Sequence, residues 1–222
     1  MLDLLLPRRC LVCGDAGAHM CPACRDGLSR LLPPLCERCG APTAWPVNRC
    51  RECSGRRLGF VTARAAVPYD DDVRRLVAAW KERGLRRLAA EAASLVADCV
   101  AAPAADVVTF VPADRRRSGE RGHHPAERLG YALAELWHLP FRPLLMRTGT
   151  SRRQRGLSLA ERRRNVAGAF SARPVSDTVL LVDDVYTSGA TVSAAASALR
   201  SAGAKAVYVV TFARTIRFHR AT

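Results

Sequence analysis

The sequence predicts an α/β fold, a parallel sheet with flanking helices, preceded by a small Cys-rich module. Three observations predict it. From about residue 60 onward, short apolar strand-like segments alternate with stretches of helical periodicity. One of those segments, Val179-Leu180-Leu181-Val182, is apolar throughout, as a strand covered on both faces must be. Eight of the nine cysteines fall within the first 53 residues, in a stretch with no sustained periodicity.

The chain divides at about residue 56, into a module over 1–56 and a domain over 57–222. Up to Ser54 it is rich in Cys, Pro and Arg; such a segment cannot build an ordinary apolar core and needs a metal to fold. Beyond it, Val61 to Tyr69 reads as a strand. Val73, Leu76, Val77 and Trp80 recur at helical spacing, so 72–80 reads as a helix. Leu85 to Ala101 is a second, Ala-rich helix, in which Cys99 reads as a small core residue. Val107 to Val111 is a short apolar strand. Leu129, Leu133 and Leu136 share one face of a helix over 126–136. Phe141 to Leu145 reads as a short strand, and Arg152 to Arg164 as a loop with a short helix. After the strand at 179–182, Ser193 to Ser201 is an Ala-rich helix ended by Gly203. Ala206 to Phe212 is the last strand.

At 222 residues, with 49% hydrophobic and 25% charged, the composition is that of a globular chain rather than a disordered one. No apolar run approaches the roughly 20 residues of a membrane helix. The apolar start Met1 to Leu6 ends at Pro7, and Arg8 and Arg9 follow rather than precede it, the wrong order for a secretory signal. A cytoplasmic chain with no membrane insertion is expected. The net charge is +15 and the pI about 10.4, and only Lys81 and Lys205 are lysine. Arginine suits planar, bidentate contacts to phosphate and carboxylate. An Arg- and Ala-rich codon bias gives the same count, so the clustering of the arginines decides between the two readings.

The cysteines form four Cys-x-x-Cys pairs: Cys10/Cys13, Cys21/Cys24, Cys36/Cys39 and Cys50/Cys53. Close thiolate pairs in a reducing compartment read as zinc ligands rather than disulfides. Zinc takes four thiolates in a tetrahedron, so eight cysteines suit two structural ions. Sequential pairing places the first four on one ion and the last four on the other, and the gap of 7 residues between the first two pairs favours it. Cross-brace pairing is the alternative. A full thiolate shell leaves no open position for catalysis, and His19, between two pairs, is not needed as a ligand.

Residues 179–191, Val-Leu-Leu-Val-Asp-Asp-Val-Tyr-Thr-Ser-Gly-Ala-Thr, carry the most chemistry. An apolar strand delivers Asp183 and Asp184 at its end, where open α/β sheets bind ligands. A hydroxyl-rich loop and the start of a helix follow. A helix N-terminus offers free N–H groups and a positive dipole end to an anion. Thr187, Ser188 and Thr191 add hydroxyls, and Gly189 lets the backbone approach closely. The carboxylates suit sugar hydroxyls or Mg²⁺ rather than the phosphate itself. Together these describe a site for a phosphorylated ribose.

This stretch resembles the 5-phosphoribosyl-1-pyrophosphate (PRPP) motif of type I phosphoribosyltransferases. The resemblance implies a phosphoribosyltransferase-like sheet, with Asp183 and Asp184 on the ribose hydroxyls of PRPP and the catalytic centre beside them. It implies that Thr187, Ser188, Gly189, Ala190 and Thr191 bind the 5′-phosphate, with Mg²⁺ accompanying the ligand. Purine-salvage members carry an Asp where Thr187 stands here, which argues against hypoxanthine or guanine.

Residues 111–165 hold thirteen arginines against five acids, a net +8 in a quarter of the chain. Clustering of this kind favours a polyanion, although a solvated basic face produces the same pattern. Arg117 and Arg121 follow the strand at 107–111 and could reach a pyrophosphate. The run from Arg152 to Arg164 exceeds what one small ligand needs, and nucleic acid phosphates are the natural second partner.

Cysteine knuckles followed by such a domain resemble the ComF family, named for DNA uptake in competence. Further pieces recur in order. Trp80-Lys81-Glu82-Arg83-Gly84 is similar to the family's Lys-x-x-Gly region. Val111-Pro112 with Arg117, Arg121 and Gly122 is similar to its Val-Pro…Arg…Arg-Gly segment. Gln154-x-x-Leu157 and Arg164-Asn165-Val166-x-Gly168-Ala169-Phe170 are similar to its later block. One departure stands out: His123-His124-Pro125 replaces the usual Phe-Asn-Gln, and Pro125 cannot hydrogen-bond a ligand as Gln does. Lys81 reads equally as a phosphate ligand or as a helix-end cation.

Two functions of different class follow. One is a PRPP-dependent transferase with Mg²⁺, although no nucleobase site or acceptor is recognisable in the residues. The other is a non-catalytic protein that handles single-stranded DNA through the cysteine module and the Arg-rich 111–165 face, keeping the PRPP loop as a sensing or vestigial site. Competence-associated proteins are the partners that the resemblance implies.

Overall fold

Alternation along the strands sets the architecture. In a computed structural model, the structure describes residues 8–82, 84, 85, 87–113, 124–148 and 168–216. Four strands form the main sheet: β1 (Ala63–Pro68), β2 (Val107–Phe110), β5 (Thr178–Tyr186) and β6 (Ala206–Arg214), in the spatial order β1-β6-β5-β2. Every neighbouring pair is parallel, so all four C-terminal ends lie along one edge. A second, antiparallel pair joins β3 (Leu145–Arg147) to β4 (Phe170–Ala172). The helices are α1 (Pro22–Gly27), α2 (Asp71–Glu82), α3 (Leu88–Cys99), α4 (Pro125–Leu136) and α5 (Ala190–Ser201).

Successive side chains of a strand point to opposite faces, and both faces here are apolar. Leu180 and Val182 pack into one cluster with residues of α2, α3 and α4; Val179 and Leu181 pack into another with residues of α5. Helices therefore cover the sheet on both sides, as a parallel sheet requires. Trp80 of α2 meets Phe212 of β6 edge-on, with ring centroids 6.5 Å apart.

The cysteine module straddles the β1 edge. Met20 and Leu28 join the α2–α4 cluster, whereas Cys36, Cys39, Ala41 and Cys53 join the α5 cluster. Between them the chain runs along β1 itself. The Leu31 N–H donates to the Ala66 carbonyl at 2.9 Å, and the Ala63 N–H to the Arg38 carbonyl at 3.0 Å. At Gly40, with φ of 68°, a Cβ would lie 2.4 Å from the Ala63 oxygen, so only glycine fits. The opposite edge is covered by residues 140–142, whose backbone brackets Val108 with bonds of 2.8 and 2.9 Å. Both edge strands of the main sheet are thus covered by the chain's own backbone, which blunts pairing with another chain.

The expected strands and helices appear with shifted ends. The strand expected at 141–145 lies at 145–147, and Phe141 forms only a single parallel bridge to Val108. The strand from 179 runs on to Tyr186 because β6 pairs with it over its whole length. Helix α5 begins at Ala190, three residues earlier than its apolar pattern suggests. Helix α1 and strand β4 had no periodicity to announce them. The former is started by Cys21, whose sulfur accepts the Cys24 N–H at 3.4 Å, with Pro22 at its first position. The helix expected within 152–164 lies outside the described residues. Among the described residues, no helix is long and apolar enough to cross a membrane.

Candidate functional site

The eight knuckle cysteines gather as two groups of four, Cys10, Cys13, Cys21 and Cys24, and Cys36, Cys39, Cys50 and Cys53. This is the sequential pairing, and cross-brace pairing is excluded. Within each group the sulfurs lie within 4.8 Å of one another. Sulfur pairs stand 3.8 Å apart at Cys13 and Cys21, 3.6 Å at Cys36 and Cys53, and 3.5 Å at Cys39 and Cys50. Four thiolates about 2.3 Å from a tetrahedral zinc have edges of about 3.8 Å, so both groups fit the ion. Backbone N–H groups point at the sulfurs, from Cys21 to Cys10 at 3.5 Å and from Cys50 to Cys36 at 3.3 Å. Burial opposes ionisation of Cys10 and Cys36, yet backbone N–H donors, Cys13 then Cys21 at the first and Cys39 then Cys50 at the second, pull their thiols down to about 6 and about 7. Burial and neighbouring sulfurs push Cys39 and Cys53 up. Sulfurs this crowded are jointly ionised only around a cation, which is what a structural zinc supplies.

The groups differ in setting. Cys13 is exposed, whereas Cys36 and Cys53 are fully buried. The first group is tied to α3 by Arg25, which donates to Ser94 at 3.2 Å and pairs with Asp98. The second is tied to the ends of β5 and β6. Arg214, buried at the end of β6, donates to the Cys39 carbonyl and to the Glu52 carboxylate, the latter at 2.7 Å.

The acid pair lies near the end of β5, beyond the point where β2 stops. The last β2–β5 contact is the Val111 N–H to the Val182 carbonyl, at 2.9 Å. Asp183 and Asp184 thus lie past the last residue of β5 that β2 pairs with, while β6 still pairs with Asp183. Burial and the charge of Asp184 push the Asp183 carboxyl up to about 8, and Lys81 and Arg147 act against that rise. Lys81, in the last turn of α2, places Nζ 2.8 Å from Asp184 Oδ1. The Asp184 N–H donates to the Asp183 carboxylate at 2.9 Å.

The loop after β5 turns into α5 at Gly189, which has φ of 70° and caps the helix. A Cβ there would lie 2.1 Å from the Tyr186 hydroxyl oxygen, so glycine is required by space and by conformation. Ser188 Oγ accepts the Ala190 N–H at 3.3 Å, which leaves the hydroxyl proton free to donate. Thr187 is exposed, and Ser188, Ala190 and Thr191 are half-buried. A helix N-terminus and three hydroxyls therefore stand a few residues from the Asp183–Asp184 pair.

Of the residues singled out in the sequence, Asp183, Asp184 and 187–191 come together. Arg117 and Arg121 lie outside the described residues, as do His123 and most of the arginine run. His124 meets the Phe110 ring edge-on, with centroids 5.8 Å apart. Two site residues carried no clear signal. Lys81 looked as much like a helix-end cation as a ligand. Arg147, one arginine among many, is placed near Asp183 by β3, with its guanidinium over the Phe170 ring at 5.3 Å.

Comparison with known proteins agrees with this layout. Residues 1–54 match the double zinc ribbon domain family. The chain is 25% identical to competence protein F of Haemophilus influenzae over 93% of its own length and 96% of that protein. It is 28% identical to the DNA utilization protein YhgH of Salmonella typhi, over 96% and 100% of the two lengths. Among solved structures, it matches a glutamine PRPP amidotransferase from B. subtilis at a TM-score of 0.41 and 25% identity, over 57% of this chain. It spans about a quarter of that chain, 26%. Two four-cysteine groups and a parallel α/β sheet thus accompany a similarity to competence protein F and YhgH over nearly the whole chain, and the first 54 residues are those that match the double zinc ribbon domain family.

Proposed function

We propose that the chain binds PRPP, or a related phosphoribosyl ligand, with Mg²⁺ at the C-terminal edge of β5. One observation carries the reading: two adjacent aspartates and a helix N-terminus, separated by a short hydroxyl-rich turn, stand on one strand–loop–helix unit. The α5 N-terminus with Thr187, Ser188 and Thr191 takes the 5′-phosphate. Asp183 and Asp184 accept hydrogen bonds from the ribose hydroxyls, Asp184 being held in place by Lys81. Arg147 and Lys81 add positive charge near the pyrophosphate, together with Arg117 and Arg121. Mg²⁺, when bound with the ligand, offsets the charge of the departing pyrophosphate. The residues name no acceptor, so the proposal is binding first and glycosyl transfer only where an acceptor is found.

Calorimetry with PRPP, with and without Mg²⁺, tests this on the wild type and on Asp183→Asn/Asp184→Asn. Binding that needs Mg²⁺ and is lost in the double variant is expected. No binding by the folded, zinc-loaded wild type overturns it.

A second reading concerns nucleic acid. Relatives are named for competence and DNA utilization, and this chain carries a net charge of +15. These support a role in DNA uptake, with single-stranded DNA held by the basic 111–165 region and competence-associated proteins as partners.

A further inference from the structure

We propose that the second cysteine group, Cys36, Cys39, Cys50 and Cys53, is the positioning element of the phosphate loop, acting through Glu52, Arg214 and Tyr186. As a statement about ligand binding it rests on the phosphoribosyl reading above; as a statement about the loop it stands on the contacts alone. Both anchors of Arg214 belong to the knuckles of that group. Its Nη2 donates to Glu52 Oε2 at 2.7 Å, and Glu52 directly precedes the ligand Cys53. Its Nη1 donates to the carbonyl of the ligand Cys39. The guanidinium then lies over the Tyr186 ring, 4.7 Å from its centroid. Phe60 supports the same ring edge-on at 6.4 Å.

Tyr186 closes the path. It is the last residue of β5, 3% exposed, and its hydroxyl occupies the space beside Gly189 that a Cβ would need. A continuous set of contacts therefore runs from the metal ligands to the turn that aims the α5 N-terminus. Arg214 is 1% exposed. A guanidinium so far from water stays in place only while both its acceptors do. Losing the knuckle geometry displaces Arg214, removes the cation from the Tyr186 face and frees the Gly189 turn. Among the described residues, the first cysteine group makes no such connection, and its polar ties run to Ser94 and Asp98 on α3.

The full zinc-loaded chain tests this with Glu52→Gln, Arg214→Lys and, at the first group, Cys13→Ser. The readouts are zinc per chain, thermal midpoint, hydrogen exchange of the peptide covering 186–191, and PRPP calorimetry. Glu52→Gln is expected to keep both zinc ions and a midpoint near that of the wild type. Its 187–191 amides should exchange about tenfold faster, a local opening, while β5 and β6 stay protected. Arg214→Lys keeps the charge but loses the fork, and should do the same. Cys13→Ser should lose zinc at the first group and leave loop exchange unchanged. Wild-type loop protection in both Glu52→Gln and Arg214→Lys overturns the proposal, as does equal opening in Cys13→Ser. Should either relay variant fail to fold, Tyr186→Phe, which keeps the ring and removes the hydroxyl beside Gly189, must still speed loop exchange. A wild type that binds no PRPP, with the loop effects intact, removes the ligand reading and leaves the positioning role standing.

Discussion

Lys81 Nζ lies 2.8 Å from Asp184 Oδ1, linking the last turn of α2 to the acid pair on β5. Both side chains are largely buried, at 29% and 14% exposure, so the pair is shielded from solvent more than a surface ion pair. Removing the cation leaves a partly buried carboxylate without its partner. Lys81→Met is expected to lower stability by about 1–2 kcal/mol in urea unfolding, given that a buried group left unpaired costs about that much. An unchanged urea midpoint would show that the contact contributes nothing.

Asp183 makes stability depend on pH in a defined sense. Its carboxyl rises from 3.8 to about 8 on folding, mainly through burial and then through Asp184. Between those values the folded chain holds a proton that the unfolded chain releases. Stability therefore falls as pH rises across that window and levels off above it. Urea midpoints at pH 5 and pH 8 should show the fall in the wild type. Asp183→Asn, which needs no proton, should flatten it and be the more stable chain at pH 8.

Gly189→Ala tests the turn before α5. The new Cβ would stand 2.1 Å from the Tyr186 hydroxyl at a φ of 70°. The left-handed conformation alone costs a non-glycine residue about 1–2 kcal/mol, and displacing Tyr186 adds to it. Unfolding should show a loss of at least that size. Tyr186→Phe in the same chain relieves the hydroxyl clash and should recover part of it.

The two zinc sites should separate on chelation. Cys13 is exposed, while Cys36 and Cys53 sit in the α5 cluster at 0% exposure. A chelator is expected to remove one zinc per chain quickly with the far-ultraviolet circular dichroism retained, and the second only as the α/β sheet unfolds. Release of both ions in one phase would contradict this asymmetry.

Binding to single-stranded DNA should be electrostatic. The scattered aromatics offer few stacking positions, and only Trp45, 69% exposed, stands free between two cysteine pairs. Affinity should fall steeply with salt, by several orders of magnitude between low and physiological ionic strength if six or more phosphates are contacted. A flat response, or no binding at low salt, removes the nucleic-acid reading. Trp45→Ala should cost about 1–3 kcal/mol if a base stacks on it, and nothing otherwise.

Much of the framework was legible because it is local. Four Cys-x-x-Cys spacings name a metal, a fully apolar run names a buried strand, and two acids with Thr-Ser-Gly close behind them mark the turn from that strand into a helix. Each depends on residues within a few positions of one another. Helix α1 and strand β4 were not legible. One is held by a sulfur and a proline rather than by apolar periodicity, and the other is a three-residue strand that exists only against β3. The early start of α5 was hidden because Gly189 caps the helix through its conformation, with no side-chain capping bond.

By itself the sequence determined which residues could bind metal, which could face an anion, and that strands and helices alternate. Only the tertiary structure decided the partners. It chose sequential over cross-brace pairing of the cysteines, set one ribbon against each face of the sheet, and brought Lys81 to Asp184 and Arg147 near Asp183. It also placed Arg214 between Glu52 and Tyr186, across 162 positions of chain on one side. The reason is that these are long-range juxtapositions of charged and aromatic groups. They are fixed by where parallel strands end and which face a helix covers, and local residue spacing does not encode them.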